Sequence, residues 1–447
     1  MKSRILFVFE LAVLCLFLFS CSYPGMSVTL PATSTPTLLP SATDILKLPP
    51  TATPTPTNTE PPQIPPTPYS LTPTLAVPAI AHFVPGQKID IMHIHMVDVN
   101  RGWGIGGLNK ASDHVFLTPD GGQTWRDVTP PQPAPGAGAS FTALGYFLNA
   151  DTAWVAYGYP AEAGGTPPFI LVWKTNDGGG TWSYGSIDTS VVTGEAFSPY
   201  YLNFTDTQHG WLMVYLGAGM MHAYVALFMT NDGGTTWTDI LDPYTDNDIQ
   251  SFPKTGMVFM DPQTGWLTRD AQGVDPTPHI FHTTDGGVTW TRLDLPAPED
   301  VPDLYDSYAC GSYSPNAFSA LSVTIAMKCL DNATFKVEKD YVYFTSNVGV
   351  TWHTYPLPAD YTIGEGVYFF SPQSGLALGR KIYQTNDGGK NWTFIQQVNW
   401  DGQFSFLNGL SMNLGWAYVF NDQGENALVK TVNGGKTWNM LHPIVGP

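Results

Sequence analysis

One eight-residue stretch recurs seven times in this 447-residue chain and limits what it can fold into. The first copy is Thr118-Pro119-Asp120-Gly121-Gly122-Gln123-Thr124-Trp125. The box, as we call it, returns at Thr175–Trp182, Thr230–Trp237, Thr283–Trp290, Thr345–Trp352, Thr385–Trp392 and Thr431–Trp438. An Asp-Gly-Gly core between strand-like flanks is a hairpin signal. The carboxylate accepts hydrogen bonds from the backbone further round the turn. The glycines adopt angles that a side chain forbids. The closing Trp carries a large apolar surface and is expected to be buried. Asp120, Asp177, Asp232, Asp285, Asn347, Asp387 and Asn433 are therefore read as structural residues of the turn rather than catalytic or metal-binding ones.

The seven box tryptophans are separated by 57, 55, 53, 62, 40 and 46 residues. Repeats at this distance indicate a propeller or solenoid, and a four-stranded blade needs about 40–45 residues. A second signature precedes most boxes: an apolar strand, a polar turn, then Gly102-Trp103, Gly210-Trp211, Gly265-Trp266 or Gly415-Trp416. Ala153-Trp154 and Gly375-Leu376 are weaker versions, and the fifth unit has Thr324-Ile325 in the equivalent place. Four strands repeated seven times predict an all-β chain, a seven-bladed β-propeller.

These residues resemble the Asp-box, or bacterial neuraminidase (BNR), repeat, whose pattern Ser/Thr-x-Asp-x-Gly-x-Thr-Trp four boxes match in full. Boxes five and seven carry Asn347 and Asn433 at the Asp position, and box six carries Asn391 at the Thr position. The added Gly-Trp half resembles the subgroup that includes photosystem II assembly and stability factors. The resemblance spans roughly residues 85–440 and implies a fold, not one function: such repeats serve sialidases, xyloglucanases, sorting receptors and non-catalytic scaffolds. Sialidases share an arginine triad and an Arg-Ile-Pro motif, and neither pattern is present. The propeller has only Arg101, Arg126, Arg269, Arg292 and Arg380. Xyloglucanase-like enzymes pair two such domains, whereas this chain has one. The photosystem factors carry a basic arginine patch, which an arginine-poor chain lacks. A two-carboxylate glycosidase stays open, because the separation of its acids is not legible.

Residues 1–21 read as a signal segment, with Lys2 and Arg4 before an apolar run interrupted only by Glu10. Leu18-Phe19-Ser20-Cys21 resembles a bacterial lipobox, which implies cleavage and lipid attachment at Cys21. An ordinary signal peptide or an uncleaved anchor is the alternative. Residues 22–79 are a Pro/Thr-rich stalk that cannot bury a core. At ~3.1 Å per residue it reaches on the order of 150 Å as polyproline-like chain. The propeller is expected over 80–447, with Ile80-Ala81-His82-Phe83-Val84 adding an outer strand that closes the ring. The expected location is outside the cytoplasm, held to the cell membrane by lipid alone.

The net charge of −18 argues against nucleic acid, which needs a basic face, and against polybasic membrane docking. Cys310 and Cys329 remain after Cys15 and Cys21, an even pair in an exported domain. A disulfide between them closes a loop of about 20 residues and adds roughly 3 kcal/mol in the chain-entropy model. Two reduced, buried thiols are the alternative.

In a propeller the boxes join third and fourth strands on one face, and the variable loops fall on the other, where function tends to collect. One such loop carries Asp294, Glu299, Asp300, Asp303 and Asp306 with Tyr305, Tyr308 and Tyr313. A second carries Asp239, Asp242, Asp246 and Asp248 with Tyr244, and Arg269 opens a third. Carboxylates beside tyrosines suit a sugar or a calcium ion, although solvated loops on an acidic protein are the plainer reading. His93 and His95 share one strand face, and a metal there needs a further converging ligand. No cofactor or resident metal is expected. Two functions follow: a surface scaffold that binds a protein partner on the loop-rich face, or a protein that binds or cleaves glycans there.

Overall fold

A computed structural model describes residues 80–132, 142–159, 168–188, 196–219, 222–241, 247–251, 253–270, 277–334, 337–361, 363–398, 402–421 and 426–447. Seven antiparallel sheets follow one another along the chain as the blades of a seven-bladed β-propeller. Their first and last strands are Asp90–Met96 and Thr124–Asp127, Ala143–Phe147 and Ser183–Asp188, Ser198–Phe204 and Thr238–Leu241, Lys254–Phe259 and Thr291–Asp294, Tyr308–Ser312 and His353–Pro356, Ile363–Phe369 and Thr393–Gln397, and Gly402–Gly409 and Asn439–Leu441. In blade 5 the innermost position is shared by Tyr308–Ser312 and Asn316–Ser319, which both pair with Ser322–Asp331.

The two signatures turn out to be halves of one inter-blade latch. In three blades the second-strand indole donates Nε1–H to the first box glycine of the next: Trp154 to the Gly233 carbonyl, Trp211 to Gly286, and Trp416 to Gly121, each at 2.8 Å, whereas Trp103 donates to the Asn149 carbonyl at 2.8 Å. The same rings stack on the next blade's innermost strand, Trp154 on Phe204 and Trp211 on Phe259, both at 3.8 Å. The glycine is needed because a Cβ on Gly265 would lie 2.7 Å from the ring of Phe259 in its own blade. Full burial belongs to these tryptophans. Trp103, Trp154, Trp211, Trp266 and Trp416 are all wholly enclosed, whereas the box tryptophans other than Trp125 are half-buried. The expectation of buried box anchors is corrected accordingly, since the box Trp begins the outermost strand, which has a neighbour on one side only.

Inside each box the geometry is constant. In the first, Thr124 donates its N–H to Asp120 Oδ1 at 2.9 Å and its hydroxyl to Oδ2 at 2.7 Å, while the Thr118 hydroxyl accepts the Gly122 N–H at 2.9 Å. Blade 5 departs from this. Its register puts Val323-Thr324, not Thr324-Ile325, where other blades have Gly-Trp, because Thr324 stands opposite Asn316 and Val323 opposite box residue Thr345. Its box holds Val348 at φ 58°, a left-handed conformation that the other boxes give to glycine (φ 66–78°). A β-branched residue there is strained. Cys310 and Cys329, register partners in this blade, are joined by a disulfide.

At the centre, each innermost strand leaves one edge without a sheet neighbour, and an edge N–H needs an acceptor. Asparagines of the preceding blade supply three: Asn203 Oδ1 accepts from Phe259 at 3.1 Å, Asn316 from Phe369 at 3.3 Å, and Asn408 from Met96 at 2.9 Å. In blades 1 and 2 the same position holds His95 against Phe147 and Tyr146 against Phe204.

Ring closure also differs from expectation. Ile80–Val84 forms no strand. Ile80 donates to the Gln132 carbonyl and Phe83 to Asp127 Oδ2, and the chain then turns at Pro85-Gly86. The fifth strand of blade 1 is Ile444–Val445, parallel to Thr124–Asp127 and bridged on its other side to Lys88.

Candidate functional site

Second-to-third-strand turns point to the loop-rich face, and two blades carry longer strands toward it. The second and third strands of blade 3 are Gly210–Gly219 and His222–Thr230, and those of blade 5 are Ser322–Asp331 and Val337–Thr345. Between them the strands of blade 4 are only Gly265–Arg269 and His279–Thr283. The four or five extra residues per strand add about 15 Å of paired strand at ~3.4 Å per residue. The Cys310–Cys329 disulfide ties the longer part of blade 5 to its innermost strand.

The residues singled out in the sequence are divided by this geometry. Asp303 and Asp306 are exposed on either side of Leu304, whose side chain is buried in the one-turn helix Leu304–Ser307. Tyr305 is not a free ligand contact: it is half-buried and its hydroxyl meets that of Tyr343 at 3.0 Å, while Tyr343 donates to the Pro296 carbonyl at 3.0 Å. Burial, chiefly, pushes the Tyr305 hydroxyl up to about 12. The Tyr308 ring lies under the Lys339 ammonium at 5.1 Å. The aromatic half of the loop thus turns inward, since rings of that area are stabilised by burial.

Arg269 is the clearest correction. It is 2% exposed, stands opposite Lys254 in register, and donates from Nη1 to Ser251 Oγ, while its carbonyl accepts from Ser312 at 2.7 Å. Lys254 is equally enclosed, and the Tyr200 and Tyr201 hydroxyls donate to its carbonyl at 2.7 and 3.0 Å. Burial first, then the neighbouring Arg269, push the Lys254 ammonium down to about 7. Arg269 is therefore part of the wall between blades. Tyr244, Asp246, Asp242 and Cys21 lie outside the described residues.

Two groupings escaped the sequence. Asp294 accepts from Arg292 Nε at 2.8 Å and faces buried His279 at 2.8 Å, and Arg292 reaches Asp248 at 3.6 Å, so the two acidic loops are bridged by one guanidinium. Burial alone would raise Asp294, but the hydrogen bond and charge of Arg292 leave its carboxyl below the usual range. In blade 5, burial lifts the Asp340 carboxyl to about 7 against the opposing charge of Lys328. No periodic signal marks either, because each depends on neighbours across the sheet. His93 and His95 face solvent at the central channel, and surrounding protein pushes both imidazoles below their ordinary value. Among the described residues no three His, Cys, Asp or Glu side chains are grouped to hold a metal ion.

No protein-family model and no curated protein sequence matches the chain. Solved structures do resemble it. Prolyl oligopeptidase B from Galerina marginata is similar at TM-score 0.51 and 11% identity, over 80% of this chain and 51% of that one. This chain therefore spans about half the length of that protein. YCF48 from Cyanidioschyzon merolae is similar at TM-score 0.49 and 14% identity, over 79% and 98%. The GH74 xyloglucanase from Xanthomonas campestris is similar at TM-score 0.34 and 10% identity, over 81% and 68%. At 11% identity the likeness to the prolyl oligopeptidase speaks for the fold alone.

Proposed function

We propose that this protein is a non-catalytic scaffold of the Asp-box type that receives a protein partner on its loop-rich face, across blade 4 and between the long hairpins of blades 3 and 5. The observation that carries this reading is the pair of long hairpins flanking the shorter strands of blade 4. Extended walls on a rigid ring suit a partner segment laid between them. The polar groups nearby are also engaged within the protein: Arg269 with Ser251, Tyr305 with Tyr343, and Arg292 with Asp294. The same proposal has the ring exported and held through lipid on Cys21, with residues 22–79 as the spacer.

Photo-crosslinking residues placed singly at Tyr224 and Asn332, on the two hairpins, test it in cells against Val288 and Val432 on the box face. One defined protein adduct from both hairpins and none from the box face is expected. Adducts from the box face alone, or glycoside hydrolysis at enzymatic turnover by the purified protein, overturn the reading. Cys21→Ala is expected to release the protein from the membrane fraction. Retention there favours the uncleaved anchor instead.

A further inference from the structure

The seam where blade 7 meets blade 1 contains a cavity of about 230 Å³. Three separate pieces of chain build it on the loop-rich side. These are residues 88–91 leading into blade 1, the inner part of blade 7 at Tyr418 and 426–428, and residues 440–443 that connect blade 7 to the closing strand Ile444–Val445. The volume corresponds to roughly seven or eight water molecules at ~30 Å³ each. It falls below the ~300 Å³ at which pockets for drug-sized ligands begin. A single ring fits, and an extended chain does not.

The walls differ in chemistry. The polar lining holds the Asp90 carboxylate, fixed by the Lys110 N–H at 2.9 Å, the Tyr418 hydroxyl, Asn426, which hydrogen-bonds Tyr418, and also Lys88 and His442. Tyr418 is 6% exposed, and burial followed by the charge of Asp90 pushes its hydroxyl up to about 12, so it stays a hydrogen-bonding group at any physiological pH. The apolar lining includes Ile91, Leu428, Met440 and Leu441.

We propose that this cavity binds one pyranose residue of a glycan. A pyranose has a hydroxyl edge that both donates and accepts and a C–H face that is apolar, and the cavity offers a matching surface to each. A wholly apolar ligand would leave the carboxylate and hydroxyl desolvated without partners, which is unfavourable. A phosphate or other small anion would meet the Asp90 carboxylate as well as the Lys88 ammonium, so the lining gives it no net attraction. The inference does not rest on the scaffold reading, because the seam lies between blades 7 and 1 and the long hairpins belong to blades 3 and 5. It also has a mechanical consequence. A ligand that touches all three pieces binds the closed ring and not the opened one, so it raises the thermal midpoint by mass action.

The test uses the full chain with glucose, galactose, N-acetylglucosamine and mannose as separate probes. Saturation-transfer NMR and the thermal midpoint are followed as each is titrated. At least one sugar is expected to saturate and raise the midpoint. Tyr418→Phe and Asn426→Ala are each expected to weaken that sugar by about tenfold, the equivalent of one hydrogen bond. Lys436→Ala on the opposite face is expected to leave binding unchanged. Tyr418→Phe keeps the ring system and so separates lost binding from lost folding, checked by an unchanged circular dichroism spectrum. The proposal is overturned if none of the four sugars saturates, or if one binds both seam variants as tightly as the parent. Neither result bears on the crosslinking from blades 3 and 5.

Discussion

Asp177 shows what the box carboxylates contribute residue by residue. Its Oδ1 accepts the Thr181 N–H at 2.9 Å and its Oδ2 the Thr181 hydroxyl at 2.7 Å. The Thr181 N–H first, then that hydroxyl, hold the carboxyl at about 2, against 3.8 in an unstructured chain. Asp120, Asp232, Asp285 and Asp387 are lowered as well. A depressed carboxyl stabilises the fold fully above its unfolded value, and the contribution is lost as pH falls through the folded value. The acid limb of the stability curve should therefore run from about pH 4 down to about pH 2. Asn347 tests the idea within the same molecule: its Oδ1 accepts the Thr351 N–H at 3.0 Å and its Nδ2 donates to the Thr351 hydroxyl at 2.9 Å. The amide keeps the turn without a charge. Asp177→Asn is thus expected to leave neutral-pH stability nearly unchanged and to flatten the acid limb. Urea midpoints measured across the range check this, and two parallel curves would refute it.

The latch between blades is a matter of elements. Trp211 and Trp266 are both wholly buried, but only Trp211 donates to a box carbonyl, that of Gly286. Trp266 faces blade 5, where Val348 replaces the first glycine. Its Nε1 meets no partner among the described residues, and its ring packs on His282 at 4.4 Å instead. Trp211→Phe removes volume and a hydrogen bond, and Trp266→Phe removes volume only. The first is expected to cost about 1–3 kcal/mol more than the second, the price of an unmet buried carbonyl. Equal losses in urea unfolding would show that the bond contributes nothing. The latch also marks where reading the sequence stops. Both signatures and their spacing are visible along the chain, so blade number and strand order follow from them. The bond spans 75 residues, and periodicity does not say which blade receives which indole. The same holds for the candidate site. Arg269 is visible as a rare arginine in a variable region, but the neighbouring strands that bury it with Lys254 are not. The acidic loop is legible as acidic and aromatic, while the inward turn of Tyr305 depends on Tyr343, 38 residues on.

For the molecule as a whole, stability depends on a ring closed without a covalent bond. The closing strand Ile444–Val445 lies between two segments far from it in sequence. Val445 accepts from the Gly86 N–H at 2.8 Å and donates to Gln87 at 2.9 Å, and Gly446 donates to the Trp125 carbonyl at 2.8 Å. Trp125 is the box tryptophan that is wholly buried, and its blade is the one that gains this extra strand. Removing residues 443–447 would bare the edge of Thr124–Asp127 and unpair Lys88 from Ile444. An open edge with its apolar neighbours exposed is a local weakness, not a global one, because every other blade keeps its own four strands. The truncated chain is therefore expected to lose hydrogen-exchange protection first in 86–96 and 124–127, and in the latch from Trp416 to Gly121 that spans the seam. Blades 3 to 5 should keep theirs until global unfolding. Protection lost evenly in all blades would mean that the ring opens as one cooperative unit and the seam has no separate stability. Protection unchanged at the seam would mean that the Trp416 latch and the Asn408 bond to Met96 hold the ring closed without the last strand.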